Sequence, residues 1–229
     1  MQRLRSSAKW NLECDYHSIH SESSISILSI NTRNLHAHIV DIRNDYDTMQ
    51  SDILCLQETY MTLSMNNEHF PNFICISNFI KHGVMILVKK HITLLEHRHF
   101  EEHNVEFMLE NIIVHGLQIA ILNIYASPHA TLTNIISIIT KALCTLHPNK
   151  VIIILGDFNI DMLQRNGKTK KLESYMARYN LHFLLDTKKH LQKPLIDHIW
   201  SSIVNLQYKI FILDTYWIDH DTLCLVLEL

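Results

Sequence analysis

Apolar and polar positions along this 229-residue chain change period several times, and each change predicts an element. Ile25-Ser26-Ile27-Leu28-Ser29-Ile30 predicts a strand, and Asn31-Thr32-Arg33-Asn34 a turn that caps the next helix. Leu35, Ile39, Ile42, Tyr46 and Met49 recur at helical spacing and predict one helix with one buried stripe. Ile53-Leu54-Cys55-Leu56 returns as a strand that delivers Glu58. A strand, helix, strand unit of this kind makes its two strands parallel neighbours. Beyond a mixed stretch at 59–82, with a short strand at Phe73 to Ile76, Val84 to Val88 is a strand. His97, His99 and His103 are assigned to a surface loop rather than a zinc site. Val105 to Val114 and Gln118 to Tyr125 face each other across His115-Gly116-Leu117, an antiparallel hairpin.

The second half repeats the alternation. Leu132, Ile135, Ile136, Ile139, Ala142, Leu143 and Leu146 mark an amphipathic helix, and Lys150 to Leu155 a strand buried on both faces. Gly156 is expected to end that strand with a turn closed to other residues. Leu172, Tyr175, Met176 and Tyr179 predict a shorter helix. Leu195 to Ser201, Tyr208 to Leu213 and Thr222 to Leu229 predict three closing strands. Hairpins mixed with strand, helix, strand units point to packed sheets covered by helices, in one domain at 25–229 behind an irregular tail at 1–24.

Composition narrows the class. The chain is 47% hydrophobic and 19% charged, with four Gly and four Pro, as in a globular protein with little linker. No apolar run follows the basic N-terminus, and none approaches the roughly 20 residues that span a bilayer. The expectation is an intracellular protein, nuclear if its substrate is, without a membrane partner. Five scattered cysteines, Cys14, Cys55, Cys75, Cys144 and Cys224, read as reduced core residues. A net charge of −3 gives no global attraction for nucleic acid, so such a partner requires a local patch.

The candidate chemistry lies at strand ends: Asn31, Glu58, Tyr125, Asp157 with Asn159, Asp197, and Asp219 with His220. Asp157 and Asn159 leave a core strand as an ionisable oxygen and a neutral amide, a pairing suited to water activation at phosphorus or a carbonyl. Hard oxygen ligands with one compelling histidine favour Mg²⁺ or Mn²⁺ over zinc. Seen singly, Glu58 is a strand-ending turn residue, Asp197 a surface residue in a strand and Tyr125 a core-edge aromatic. His198 alternates with Asp197 and is read as structural.

Together these stretches resemble the endonuclease/exonuclease/phosphatase superfamily. The resemblance runs in order through Ser29-Ile30-Asn31 with Asn34-Leu35, Asp52-Ile53-Leu54-Cys55-Leu56-Gln57-Glu58-Thr59, Asn123-Ile124-Tyr125, Gly156-Asp157-Phe158-Asn159, Ile196-Asp197-His198-Ile199 and Asp219-His220, and covers about residues 25–229. Its look is that of endonuclease domains carried by mobile elements such as Helitrons and non-LTR retrotransposons. The resemblance implies an α/β fold, a four-layer α/β/β/α sandwich of two mixed sheets flanked by helices, and metal-dependent cleavage of a phosphate ester. It implies Glu58 as main ligand of Mg²⁺ or Mn²⁺, helped by Asn31 and Asp219. Asp157 would orient or deprotonate the attacking water, Asn159 would bond phosphoryl oxygens, His220 held by Asp197 would polarise the phosphate, and Tyr125 would donate to it. Ile218 stands where the family has serine, Gly83 remains of a glycine pair, and Pro194-Leu195 replaces small hydroxyl residues.

Lys168, Lys170 and Lys171 after the Asp157 loop, and Lys188, Lys189, His190 and Lys193 before Asp197, are the candidate contacts to a substrate backbone; the competing reading is an ordinary solvated loop and helix start. The expected partner is nucleic acid, specifically DNA, and the expected state a monomer. The competing readings are a phosphatase of inositol lipids, a sphingomyelinase-like esterase, and a catalytically dead relic that serves as a binding module.

Overall fold

The structure, a computed structural model, describes residues 23–61, 69–78, 81–147, 150–186, 193–203, 206–213 and 215–229. Among these, twelve strands form two six-stranded mixed sheets, with four α-helices on their outer faces. The first sheet runs in the order β11 (Tyr208–Leu213), β12 (Thr222–Glu228), β1 (Ser24–Asn31), β2 (Ile53–Gln57), β4 (Val84–Lys89), β3 (Phe73–Ser77). The second runs β5 (Thr93–Glu102), β6 (Val105–Val114), β7 (Leu117–Ala126), β8 (Val151–Asp157), β10 (Asp197–Ser201), β9 (His182–Phe183). β1 and β2 are parallel, as are β7 and β8; the other pairs are antiparallel. This is the expected four-layer sandwich.

Strand alternation explains the layers. Ile25 and Ile27 of β1, Ile53 and Cys55 of β2, and Val84, Ile86 and Val88 of β4 share a buried cluster with the second sheet. The alternate residues Leu28, Ile30, Leu54, Leu56, Met85 and Leu87 turn outward and are covered by Leu35 and Ile42 of α1 (Leu35–Asn44). On the other side Ile135, Ile138 and Ile139 of α3 (Leu132–Leu143) and Leu172 and Met176 of α4 (Gly167–Ala177) close the second sheet. Asn123 crosses the core: its Nδ2 donates to Leu56 O at 3.0 Å and Met85 O at 2.9 Å, and its Oδ1 accepts from Gln57 Nε2 at 2.6 Å. That polar bridge fixes the slide of one sheet over the other.

Three expectations differ from the structure. The single helix predicted from Leu35 to Met49 is two, because Asp45 adopts extended backbone and its carboxylate accepts from Thr48 N, capping α2 (Tyr46–Gln50). Tyr46 consequently faces solvent at 64% exposure rather than joining the stripe. Gly156 does not end β8: it lies inside the strand at φ +129°, where an added Cβ would stand 2.0 Å from Ile124 O. Its role is the close passage of β7, which leaves Asp157 in strand register. His97 and His99 belong to edge strand β5 rather than a loop, paired to β6. The predicted tail lies outside the described residues through residue 22, and β1 begins at Ser24.

The hairpin expectation holds: β6 and β7 pair from Val105↔Ala126 to Val114↔Leu117 around His115 and Gly116, both at positive φ as a two-residue turn demands. No helix of the described residues is long and apolar enough to cross a membrane. None of the described cysteines, Cys55, Cys75, Cys144 and Cys224, is in a disulfide with another of them.

Candidate active site

The register of the second sheet lines up its chemistry. Glu106 pairs with Tyr125, Tyr125 with Asp157, and Asp157 with Asp197, so four polar side chains form one cross-strand row. In the first sheet Asn31 pairs with Gln57 and Gln57 with Val84, and Glu58 follows directly. Both rows turn inward at the same end of the sandwich. Contact between them is direct: Asn31 Nδ2 donates to Glu58 Oε1 at 2.7 Å and to Asp157 Oδ2 at 2.9 Å.

Short turns hold this mouth. Thr32 N and Oγ1 both donate to Gln57 O at 2.9 Å, tying the exit of β1 to the exit of β2. Arg33, Glu58, Tyr60 and Asn159 all have positive φ, between 47° and 51°. Left-handed backbone costs a residue with a side chain about 1–2 kcal/mol, so four such residues around one mouth are strain held by the surrounding fold. Asp161 adds an anchor: its Oδ1 accepts from Leu163 N and Leu195 N, both at 3.0 Å, and so ties the loop after β8 to the entry of β10.

Glu58 is gripped on both oxygens, by Asn31 and by Tyr60 Oη at 3.0 Å. Asp157 Oδ1 accepts from Asn159 N at 2.9 Å. Burial, then the nearby Asp197 charge, pushes Asp157 up to about 7 against the pull of His220, Asn159 and Asn31. His220 Nδ1 lies 3.0 Å from Asp197 Oδ2. Burial alone would lower His220, but the Asp197 bond and charge, with Asp157 and Asp219, raise it to about 9. Burial also raises Asp197, opposed by His220, so the pair carries one shared proton across neutral pH. Burial, reinforced by Glu58, keeps the Tyr125 hydroxyl protonated. Glu58, Asp157 and His220 each present a donor atom within 4.8 Å of the others. They line a cleft of about 380 Å³ together with Arg33, Tyr125, Pro128, Asn159 and Ile196.

Seven of the eight residues singled out in sequence therefore meet here, with two changes of orientation. Asn31 presents its amide hydrogens to the two carboxylates while its Oδ1 accepts from Arg33 N at 3.0 Å, so it braces Glu58 and Asp157. Asn159 Nδ2 donates to Ala126 O at 2.7 Å and Asp157 Oδ2 at 3.3 Å, which turns the amide onto Asp157. Asp219 stands apart, ion-paired to Arg33 Nη2 at 2.6 Å with both side chains more than half exposed. Lys168, Lys170 and Lys171 occupy the start of α4 and line neither this cleft nor an adjoining one of about 260 Å³, whose lining includes Lys193. Lys188, Lys189 and His190 lie outside the described residues.

His198 is buried with Nε2 2.8 Å from Ile160 O, its ring stacked on Phe158, and burial lowers it to about 4, as its structural reading requires. Three residues escaped the sequence reading. Arg33 and Tyr60 reach the mouth through left-handed backbone, which no residue pattern announced. His82 packs on Tyr125 at 4.9 Å and, with Gly83, donates to the buried Glu106. Its signal was present as the residue standing beside Gly83 in place of a second glycine.

A sequence model of the endonuclease/exonuclease/phosphatase family matches residues 10–208. No curated protein matches the chain. Among solved structures, the endonuclease domain of TRAS1, a telomere-specific non-LTR retrotransposon, superposes with a TM-score of 0.63 at 14% identity, over 90% of this chain and 98% of that one. D. rerio TDP2 complexed with single-strand DNA product gives 0.60 at 12% identity, over 90% and 99%. A family protein from Bacteroides thetaiotaomicron gives 0.66 at 16%, over 89% and 97%. At these identities the likeness is one of fold. The match over 10–208, joined to the sandwich and the row of polar strand ends, settles the lineage: the chain belongs to the endonuclease/exonuclease/phosphatase family.

Proposed function

We propose that this protein is a divalent-metal-dependent phosphodiesterase that hydrolyses nucleic acid, most specifically a DNA endonuclease. The observation that carries the reading is the convergence of Glu58, Asp157 and the Asp197-supported His220 within one cleft.

The donor set fits a hard divalent cation, Mg²⁺ or Mn²⁺. Glu58 is the residue that would hold it, since Asn31 and Tyr60 orient its two oxygens as outer-shell partners orient a ligand. A protonated His220 is a donor and not a ligand, which leaves oxygen as the dominant chemistry. When bound, the cation would offset charge on the phosphate and lower the pKa of a water towards neutrality.

The chain's own groups complete the task. Asp157, with a pKa near 7, is poised to take a proton from water at neutral pH, and Asn159 fixes its orientation. His220, kept protonated by Asp197, donates to a phosphoryl oxygen as negative charge grows there. Tyr125 supplies a second donor from the adjacent position of the row. The DNA assignment draws support from relatives of the fold, a retrotransposon endonuclease and a protein solved with a single-strand DNA product.

The test incubates purified protein with supercoiled plasmid, an abasic-site duplex and a phosphoinositide, each with Mg²⁺ or EDTA, alongside Asp157→Ala. Metal-dependent cleavage of DNA that disappears in the variant is expected. Phosphate release from the lipid alone would move the activity to the phosphatase branch, and silence on all three from folded protein would identify a binding relic.

A further inference from the structure

Beside the catalytic cleft lies a second one, about 260 Å³, lined by Arg33, Lys193, Pro194, Ile196, Asp197, Asp219, His220 and Asp221. The two share Arg33, Ile196 and His220, so a chain leaving one enters the other. Two cations project into the second cleft, and each is held by a carboxylate from the same short loop. Arg33 Nη2 meets Asp219 Oδ2 at 2.6 Å; Lys193 Nζ meets Asp221 Oδ1 at 3.1 Å and Asp219 O at 3.4 Å.

We infer that Arg33 and Lys193 form a second phosphate subsite, which takes the phosphate next to the reacting one on a polynucleotide strand. The inference rests on the nucleic-acid reading above and extends it to two consecutive phosphates. Arg33 is rooted in the catalytic centre: its backbone N–H donates to Asn31 Oδ1 at 3.0 Å, and its left-handed backbone directs it out of the β1 turn. Lys193 stands before Pro194, which disfavours helical backbone at that position, and Leu195 is anchored on Asp161. Both cations line the second cleft, and Arg33 lines the catalytic cleft as well, at the seam the two share.

The ion pairs are what a resting anion subsite requires. Both cations are more than half exposed, with side-chain exposures of 57% for Arg33 and 54% for Lys193; Asp219 is exposed as well, so its pair with Arg33 is weak, whereas Asp221 is largely covered. A phosphodiester can take the guanidinium with two parallel charge-assisted bonds, as a carboxylate does, and it is delivered here by the strand whose neighbouring phosphate sits in the catalytic cleft. Until then Asp219 and Asp221 keep the cations aimed into the cleft. A single phosphate ester on a lipid leaves this cleft empty; a strand fills both.

Binding of a fluorescein-labelled 12-mer, followed by anisotropy from 50 to 200 mM KCl with Mg²⁺, tests the subsite in an Asp157→Ala background that leaves the strand intact. Arg33→Gln and Lys193→Gln are each expected to weaken binding and flatten the plot of log affinity against log salt by about one counterion. Arg33→Lys should keep the slope, and Lys209→Gln, on β11 and lining neither cleft, should leave binding and slope unchanged. Slopes that stay at the parent value in Arg33→Gln and Lys193→Gln, or fall equally in Lys209→Gln, overturn the subsite while the nucleic-acid reading stands. A parent protein that retains no oligonucleotide overturns both.

Discussion

At the residue scale the centre of the account is a proton shared between Asp197 and His220 beside a desolvated Asp157. His220 is held up at about 9 by Asp197 against burial. In Asp197→Asn the largest upward influence is gone while burial still pulls down and Asp157 and Asp219 still pull up, so the imidazole should titrate well below its wild-type value. NMR of the metal-free variant should find His220 neutral at pH 7.5, and cleavage should fall about 100- to 1,000-fold, as for loss of one charge-stabilising donor. A His220 that still titrates near 9 in the variant would place its proton under other control. These residues were legible because each ends or begins an apolar run. Their orientations were not: Asn31 donates to the Asp157 carboxylate 126 residues away in sequence, and Asn159 is held by the Ala126 carbonyl 33 residues away.

At the element scale the site depends on register. Tyr125, Asp157 and Asp197 stand abreast only because β7, β8 and β10 pair as they do, and Gly156 permits the approach of β7 to β8. Gly156→Ala would put a Cβ 2.0 Å from Ile124 O on a backbone at φ +129°. The expected outcome is loss of more than about 4 kcal/mol of stability or failure to fold, read by urea denaturation. Near-native stability would show that the strand relaxes around the methyl group. Strands and helices with clear periods were readable from sequence. The edge strand β5 was not, because its side chains, Glu96-His97-Arg98-His99 among them, are the charged kind that guard an open sheet edge and so look like a loop.

At the scale of the whole molecule, the inter-sheet core that carries the site contains an acid with no hydrogen-bond partner among the described residues. Glu110 is fully buried, both its carboxylate oxygens lack hydrogen bonds, and burial raises it to about 8. Raised from an ordinary 4.5, the folded form holds a proton that the unfolded chain releases, so the native state loses stability as pH climbs from about 4.5 through 8. Glu110→Met should therefore stabilise by roughly 1–4 kcal/mol at pH 8 and by much less at pH 4.5, in thermal melts. An equal gain at both pH values would mean that Glu110 is not proton-linked. No sequence pattern marked this residue, since Glu110 and Asn111 stand side by side in an otherwise apolar stretch of β6, with nothing local to say which of them turns inward.

The most direct measurement of the central claim is the rate of oligonucleotide cleavage across a Mg²⁺ titration for the wild type and Glu58→Gln, both verified as folded by thermal melting. Glu58→Gln keeps the shape that Asn31 and Tyr60 grip but removes the charge that would hold the cation. The account predicts cleavage that EDTA abolishes in the wild type and a variant at least 100-fold slower, with any residual activity displaced to higher Mg²⁺. Cleavage that survives EDTA, or a Glu58→Gln protein that matches the wild type at low Mg²⁺, would contradict it.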